Sequence, residues 1–132
     1  MGIFSWGKSS KLKGLEKIIT TGPTDNFTQW MKDQGKRDQA LEEYLDICAT
    51  DDGIKTMMAG EAASRADLKV IYEEYSKTGL ANAILQTIAN AKALQYVVRA
   101  KKKGVSPLTI RLNIVEYSQG KLSEDALLQQ VR

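Results

Sequence analysis

Apolar residues recur at helical spacing along almost the whole chain. In one segment, Leu41, Tyr44, Leu45 and Cys48 lie on a single stripe, and the acidic residues between them fall on the opposite side. This arrangement is typical of an amphipathic helix packed on a core. The chain is therefore predicted to be all-α, a single-domain bundle of about five to seven helices.

Proline and capping residues mark where the first helices end and begin. Pro23 ends a first amphipathic helix, because proline cannot continue a helix. Thr24 then caps a short second helix in which Phe27, Trp30 and Met31 share one face. We expect these apolar side chains to anchor the core.

Two further caps predict helix starts later in the chain. Ser64 is followed three residues later by Asp67, which resembles a capping box. Ser106 precedes Pro107, an N-cap followed by a proline at the first helical position. Apolar residues alternate over residues 108–115, so a strand remains open there, although the caps favour a helix.

The longest apolar segment, residues 80–103, predicts one long helix at the centre of the bundle. Ile84 and Ile88 lie close to one line, while Leu85 and Tyr96 cover much of another side, so few faces are left for water. Its polar residues favour a buried core helix over a segment that crosses a membrane.

Charge is unevenly distributed, although the formal net charge is only +3. The first basic cluster comprises Lys8, Lys11, Lys13 and Lys17, and the second comprises Arg99, Lys101, Lys102 and Lys103. Positive charge in the last turn of a helix complements the helix dipole, which accounts for the second cluster. Solvated helix faces and contact with an anionic partner both remain open.

Residues 104–111, Gly-Val-Ser-Pro-Leu-Thr-Ile-Arg, resemble the turn and the start of the recognition helix in helix-turn-helix DNA-binding domains. Ala100 and Ile110 stand where that pattern prefers apolar residues. The chain departs from it at Lys103, at Asn113 and in the length of the preceding predicted helix. The resemblance implies a nucleic-acid contact within residues 97–115. Its base-facing residues would be Thr109, Arg111 and Asn113, and its phosphate-facing residues Arg99, Lys101, Lys102 and Lys103.

The amino-terminal segment predicts a different contact. Phe4 and Trp6 precede a helix with an apolar stripe and a side that carries Lys8, Lys11 and Lys13, as in segments that lie at a membrane surface or bind a partner. Packing of this helix on the domain remains the alternative. We expect residues 1–10 to be a mobile segment and residues 11–132 to form the helical domain.

The composition argues against catalysis. The chain has no histidine and one cysteine, so the commonest general base and metal ligand are missing. Cys48 is expected to be a small buried hydrophobe, and Asp51-Asp52-Gly53 lacks the alternating oxygen ligands of a calcium loop, so it is interpreted as a turn. We expect no enzyme activity, metal or cofactor.

These patterns together predict a non-enzymatic interaction or scaffold component. Lysines interrupt the apolar start of the chain too early for a secretory signal, so we expect a cytoplasmic protein, and peripheral attachment to a membrane remains open. The expected partner is another protein or a second copy of the chain. Nucleic-acid binding and peripheral membrane attachment are the two alternative functions.

Overall fold

In a computed structural model, the backbone is described for residues 2–23 and 25–132, and the side chains for residues 10–23 and 25–132. The described residues form helices and contain no strand, which confirms the all-α prediction. The helices are α1 (Gly2–Ile19), α2 (Phe27–Lys32), α3 (Gln34–Thr50), α4 (Asp52–Gly60), α5 (Arg65–Tyr75), α6 (Ala81–Ile88), α7 (Ala91–Lys102), α8 (Pro107–Ser118) and α9 (Glu124–Gln129). A π-helical turn, Ser76–Leu80, joins α5 to α6. The described helices outnumber the five to seven that the sequence predicted.

The chain divides into two compact units, the first ending at Ile47 and the second beginning at Cys48. In the first unit, side-chain contacts connect α1 and α3. The Tyr44 hydroxyl donates to Glu16 over 2.9 Å, and the Lys11 ammonium lies 2.8 Å from the Glu43 carboxylate. The apolar side of this pair is buried at Leu15, Ile19, Ala40, Tyr44 and Leu45.

Helix α1 begins at Gly2, well before the apolar stripe that predicted it. Its backbone is therefore helical through the segment for which the sequence predicted mobility. That residues 1–10 are mobile stays a prediction, and Met1 lies outside the described residues.

The structure differs most from the sequence prediction at helix α2. The predicted cap, Thr24, lies outside the described residues, and the Asn26 side chain accepts a hydrogen bond from the Gln29 backbone N–H over 3.0 Å. None of the α2 side chains, all of which are described, is buried, and Phe27 and Met31 are 57% and 47% exposed. The expectation that they anchor the core is wrong, because a helix of six residues makes fewer than two turns and offers little length for packing.

The second unit is organised around α7, which packs against α4, α6, α8 and α9. Together α6 and α7 supply much of its core, with Ile84, Leu85, Ile88, Leu94, Tyr96 and Val97 essentially inaccessible to solvent. The central position predicted for residues 80–103 is confirmed.

The predicted continuity of that helix is wrong. Helix α6 ends at Ile88, and α7 restarts at Ala91 after the cap residue Asn90. The Asn90 side chain accepts a hydrogen bond from the Ala93 backbone N–H over 3.0 Å. Asparagine competes in this way for backbone donors, which favours a helix start over helix continuation.

The other capping predictions are confirmed. Asp67 Oδ2 accepts from the Ser64 backbone N–H over 2.6 Å, completing the capping box of α5. The Ser106 side chain accepts from the Thr109 backbone N–H over 3.2 Å and begins α8, so residues 108–115 are helical.

The acidic turn and the cysteine also have structural roles. Asp51 caps α4 by accepting hydrogen bonds from the backbone N–H groups of Gly53 and Ile54. The Cys48 side chain is buried, as predicted, with 1% of its surface exposed.

Candidate functional site

The segment that resembles a helix-turn-helix comprises α7, a turn and α8. Helix α7 has 12 residues, because the predicted long helix is broken at Asn90. The departure from the helix-turn-helix pattern in the length of the preceding helix is therefore absent. Gly104 adopts a φ of 77°, and the Val105 N–H donates to the Ala100 carbonyl over 3.0 Å. This left-handed glycine closes α7 and turns the chain into α8.

Glu61 binds two members of the predicted phosphate-facing cluster, Arg99 through its carboxylate and Lys102 through its backbone carbonyl. The Arg99 Nε atom lies 3.0 Å from Glu61 Oε1, and the Gln95 amide donates to the same oxygen over 3.0 Å. The Lys102 ammonium donates to the Glu61 backbone carbonyl over 2.7 Å. The hydrogen bonds from Gln95 and Arg99 lower the pKa of Glu61 against the opposing effect of burial.

The remaining lysines of the cluster also have partners within the second unit. The Lys101 ammonium lies 2.5 Å from the Glu74 carboxylate, and Lys103 donates to the Arg132 carbonyl over 3.2 Å. The cluster therefore ties the end of α7 to neighbouring segments, which is a structural use of its charge.

The predicted base-facing residues of α8 are engaged as well. The Asn113 amide donates to the Tyr96 hydroxyl over 2.8 Å and to Gln130 over 2.9 Å. Thr109 is exposed, and its hydroxyl lies 2.9 Å from that of Ser106. The three polar residues thus do not converge on one outward face, because Asn113 bridges helices inside the unit.

The third of these residues, Arg111, is partly buried. Its Nε atom has no hydrogen-bond partner among the described residues.

Two buried tyrosines of the second unit have raised pKa values. Burial raises the pKa of the Tyr96 hydroxyl despite its hydrogen bond from Asn113, and burial likewise raises the pKa of Tyr75 to about 12.

The outward face of α8 is apolar. Leu108 and Leu112 are 63% and 57% exposed, whereas Ile110 and Ile114 on the other side are buried. Residues four apart lie on the same face of a helix, so α8 carries two apolar stripes. The sequence showed the alternation of these apolar residues but not that they form two stripes of which only one is covered.

A second exposed apolar surface lies in the first unit and involves Trp30. Its indole N–H donates to the Thr21 carbonyl over 2.7 Å. The Arg37 guanidinium lies 4.2 Å from the ring centroid and donates to the Trp30 carbonyl over 2.6 Å. The Phe27 ring centroid lies 5.6 Å from that of Trp30. These contacts fix the orientation of the indole, and the cation–π contact adds to them.

The surroundings of Trp30 are open. Ile18, like Phe27 and Met31, is an exposed large hydrophobic residue, with 43% of its surface accessible. A cavity of about 210 Å³ is lined by Ile18, Thr21, Trp30, Asp33, Lys36 and Arg37. Sequence reasoning assigned Phe27, Trp30 and Met31 to the core and so missed this surface.

The predicted amino-terminal site can be placed only in part. The side chains of Phe4, Trp6 and Lys8 lie outside the described residues. Lys11 pairs with Glu43, and Lys13 is exposed.

Another cavity, of about 190 Å³, lies in the second unit. Its lining includes Ala63, Val70, Ile71, Val98, Lys101 and Lys102 together with Glu61 and Asp67. Two acidic and two basic residues balance each other in this lining, and at Ala62, also in the lining, the backbone is left-handed with φ of 55°. The charges favour neither an anion nor a cation.

The described residues contain neither a candidate metal site nor a candidate membrane span. Within them, no group of three or more cysteine, aspartate or glutamate side chains could hold a metal ion. No helix in this part of the chain combines the length and apolar character needed to cross a bilayer.

Comparisons with protein-family models, curated proteins and solved structures give no significant match.

Proposed function

We propose that the protein is a non-enzymatic, cytoplasmic interaction module that binds another protein through the outward stripe of α8, defined by Leu108 and Leu112. The observation that carries the proposal is the pair of apolar stripes on this helix. Ile110 and Ile114 are 1% and 0% exposed, so the inner stripe already anchors α8. The outer stripe is mostly exposed and therefore contributes less than the inner stripe to keeping α8 in place.

Energetics support a contact role for the outer stripe. Full burial of a leucine side chain contributes roughly 1.5–3 kcal/mol relative to leaving it in water. Two leucines one helical turn apart provide the spacing by which a helix docks against another helix or lies in a groove. A partner that covers both would gain an apolar centre for its interface.

The nucleic-acid alternative is supported by the turn between α7 and α8 and by the basic end of α7. It is less favoured because the outward positions next to Thr109 are leucines rather than side chains that hydrogen-bond to base edges. In addition, Arg99 and Lys101 are paired with carboxylates, which nucleic acid would have to displace.

The proposal is tested by replacing both leucines. Tagged wild-type protein and the double variant L108S/L112S are purified from the cells that make the protein, and the retained proteins are quantified by mass spectrometry. The matched control is F27S/M31S, which removes two apolar side chains of similar exposure from the first unit. We expect L108S/L112S to lose a partner that both the wild type and the control retain.

Binding is then measured with the purified partner. The double variant should bind at least about tenfold more weakly, equivalent to about 1.4 kcal/mol, with an unchanged circular dichroism spectrum. Equal affinity of variant and wild type would contradict the proposal. Submicromolar binding of duplex DNA at physiological salt, abolished by K102E/K103E, would favour the nucleic-acid alternative instead.

A further inference from the structure

The exposed apolar residues of the first unit are concentrated around α2. Among the described side chains, six large hydrophobic residues are exposed, and three of these are Ile18, Phe27 and Met31. Trp30 is half-buried. Its ring contacts the ring of Phe27, and it lines the same cavity as Ile18. We call these four residues the aromatic patch.

The aromatic patch is preorganised. The indole N–H of Trp30 is bound to the Thr21 carbonyl, and Arg37 lies over the ring while it also donates to the Trp30 carbonyl. Phe27 and Met31 are one helical turn apart on α2 and therefore project from the same face. Little side-chain freedom remains to be lost at Trp30 when this surface docks.

Three exposed lysines are close in the chain to the aromatic patch. Lys17 and Lys32 are adjacent in sequence to Ile18 and Met31. Lys36 lines the cavity with 79% of its side chain exposed, and its ammonium lies 3.8 Å from the carboxylate of Asp33, which lines the same cavity. Residues 17–37 contain four basic and two acidic residues, so this segment of the chain is net positive, and Glu16 and Asp38 border it. The most acidic stretch of the first unit follows later, along α3.

We propose that the aromatic patch docks on an anionic lipid surface. Phe27 and Met31 would enter the boundary between headgroups and acyl chains, and the lysines would meet lipid phosphates. Tryptophan is amphipathic, and the N–H of Trp30 is already hydrogen-bonded to the Thr21 carbonyl, so this side chain is suited to the same boundary region of the lipid.

The exposed lysines favour a lipid surface over a protein as the occupant of this site. Lysine is depleted in protein–protein interfaces, whereas anionic lipid attracts lysines at the rim of an apolar surface. The three exposed apolar side chains can insert only shallowly, so binding should be reversible and salt-dependent. The contact differs from the amino-terminal one that the sequence predicted, since it does not require Phe4 or Trp6.

The test uses the full chain and vesicles of phosphatidylcholine with or without phosphatidylglycerol, with flotation as the readout. Three double variants are compared with the wild type: F27S/M31S, F4S/W6S, and the matched control L108S/L112S. The F4S/W6S variant also leaves Trp30 as the sole tryptophan, because the chain has two. Its fluorescence therefore reports on the aromatic patch alone.

We expect wild-type protein to float with anionic vesicles and to be released by about 0.5 M salt, where screening is strong. F27S/M31S should bind about tenfold more weakly, a difference of about 1.4 kcal/mol, while L108S/L112S binds as the wild type does. In F4S/W6S the emission of Trp30 should shift to shorter wavelength on anionic vesicles.

Four results would overturn the proposal. These are no flotation of the wild type, equal binding of F27S/M31S and wild type, loss of binding in F4S/W6S, and equal binding to purely zwitterionic vesicles. Circular dichroism of each variant shows that it is folded before its binding is compared. The leucine control also separates this proposal from the protein contact proposed for α8.

Discussion

Helices α2 and α6 are both short and rich in apolar residues, yet their side chains lie in opposite environments. In α6, Ala83, Ile84, Leu85, Thr87 and Ile88 are buried, whereas none of the α2 side chains is. Helix α6 packs against α5, α7 and α8, and this surrounds it with apolar surface. An apolar face thus predicts burial only where neighbouring helices are positioned to cover it.

The comparison also separates residues that support stability from residues that are free to make contacts. Removing a side chain from α6 should destabilise the fold, because a cavity remains. Removing one from α2 should change mainly what the surface can bind. The predictions below test this separation, in order of decreasing effect on the free energy of unfolding.

The largest effect is expected at the centre of the second unit. Ile88 has 0% of its surface exposed, so Ile88→Ala should lower the free energy of unfolding by roughly 2–5 kcal/mol. Urea denaturation followed by circular dichroism measures it. A loss below about 1 kcal/mol would mean that α6 is peripheral, which contradicts the comparison.

Alkaline pH should also destabilise the second unit. Burial raises the pKa of Tyr75 from 10.0 to about 12, so the folded state favours the neutral hydroxyl. The stabilisation is fully present below about pH 10 and is lost as the pH rises towards about 12, at a cost of roughly 2–3 kcal/mol. Urea midpoints across this range should fall less for Tyr75→Phe than for the wild type. Parallel curves for the two proteins would show that Tyr75 does not contribute.

A smaller effect is expected at the break between α6 and α7. Asn90→Ala removes the side chain that accepts from the Ala93 N–H and donates to Glu124 over 2.9 Å, and it should cost about 1 kcal/mol or more. Asn82→Ala serves as the control, because Asn82 is exposed within α6 and alanine is a better helix former. The same thermal midpoint for Asn90→Ala and wild type would show that the cap is not needed.

The smallest effect is expected in α2. F27S/M31S should change the free energy of unfolding by no more than about 0.5 kcal/mol, because both side chains are exposed. Calorimetry of F27S/M31S and of Ile88→Ala under the same conditions compares α2 and α6 directly. Strong destabilisation would place Phe27 or Met31 in a core and remove the aromatic patch.

The sequence predicted helices well because their start signals are local. Ser64, Asn90 and Ser106 each cap the helix that follows through a hydrogen bond within three residues. The sequence predicts the caps at Ser64 and Ser106 but not the one at Asn90, since the apolar pattern continues across that residue. Periodicity reports which faces are apolar and is insensitive to a break that preserves them.

The candidate surfaces could not be predicted in the same way. Leu108, Ile110, Leu112 and Ile114 alternate as in a strand, but on α8 they form one buried and one exposed stripe. Which stripe is covered depends on the positions of α6, α7 and α9, and these are set by tertiary packing. The hydrogen bond from Lys102 to the Glu61 carbonyl could not be predicted either, because these two residues lie far apart in the chain.

The central claim is that apolar residues left exposed by the fold make contacts, with the α8 stripe binding a protein. It is tested most directly by placing the photo-crosslinking residue benzoylphenylalanine at Leu112 and irradiating the cells that make the protein. Gln119, an exposed residue just beyond the end of α8, serves as the control site. The account predicts one discrete protein adduct from position 112 that is absent from the control. No adduct at position 112, or an adduct with nucleic acid, would contradict it.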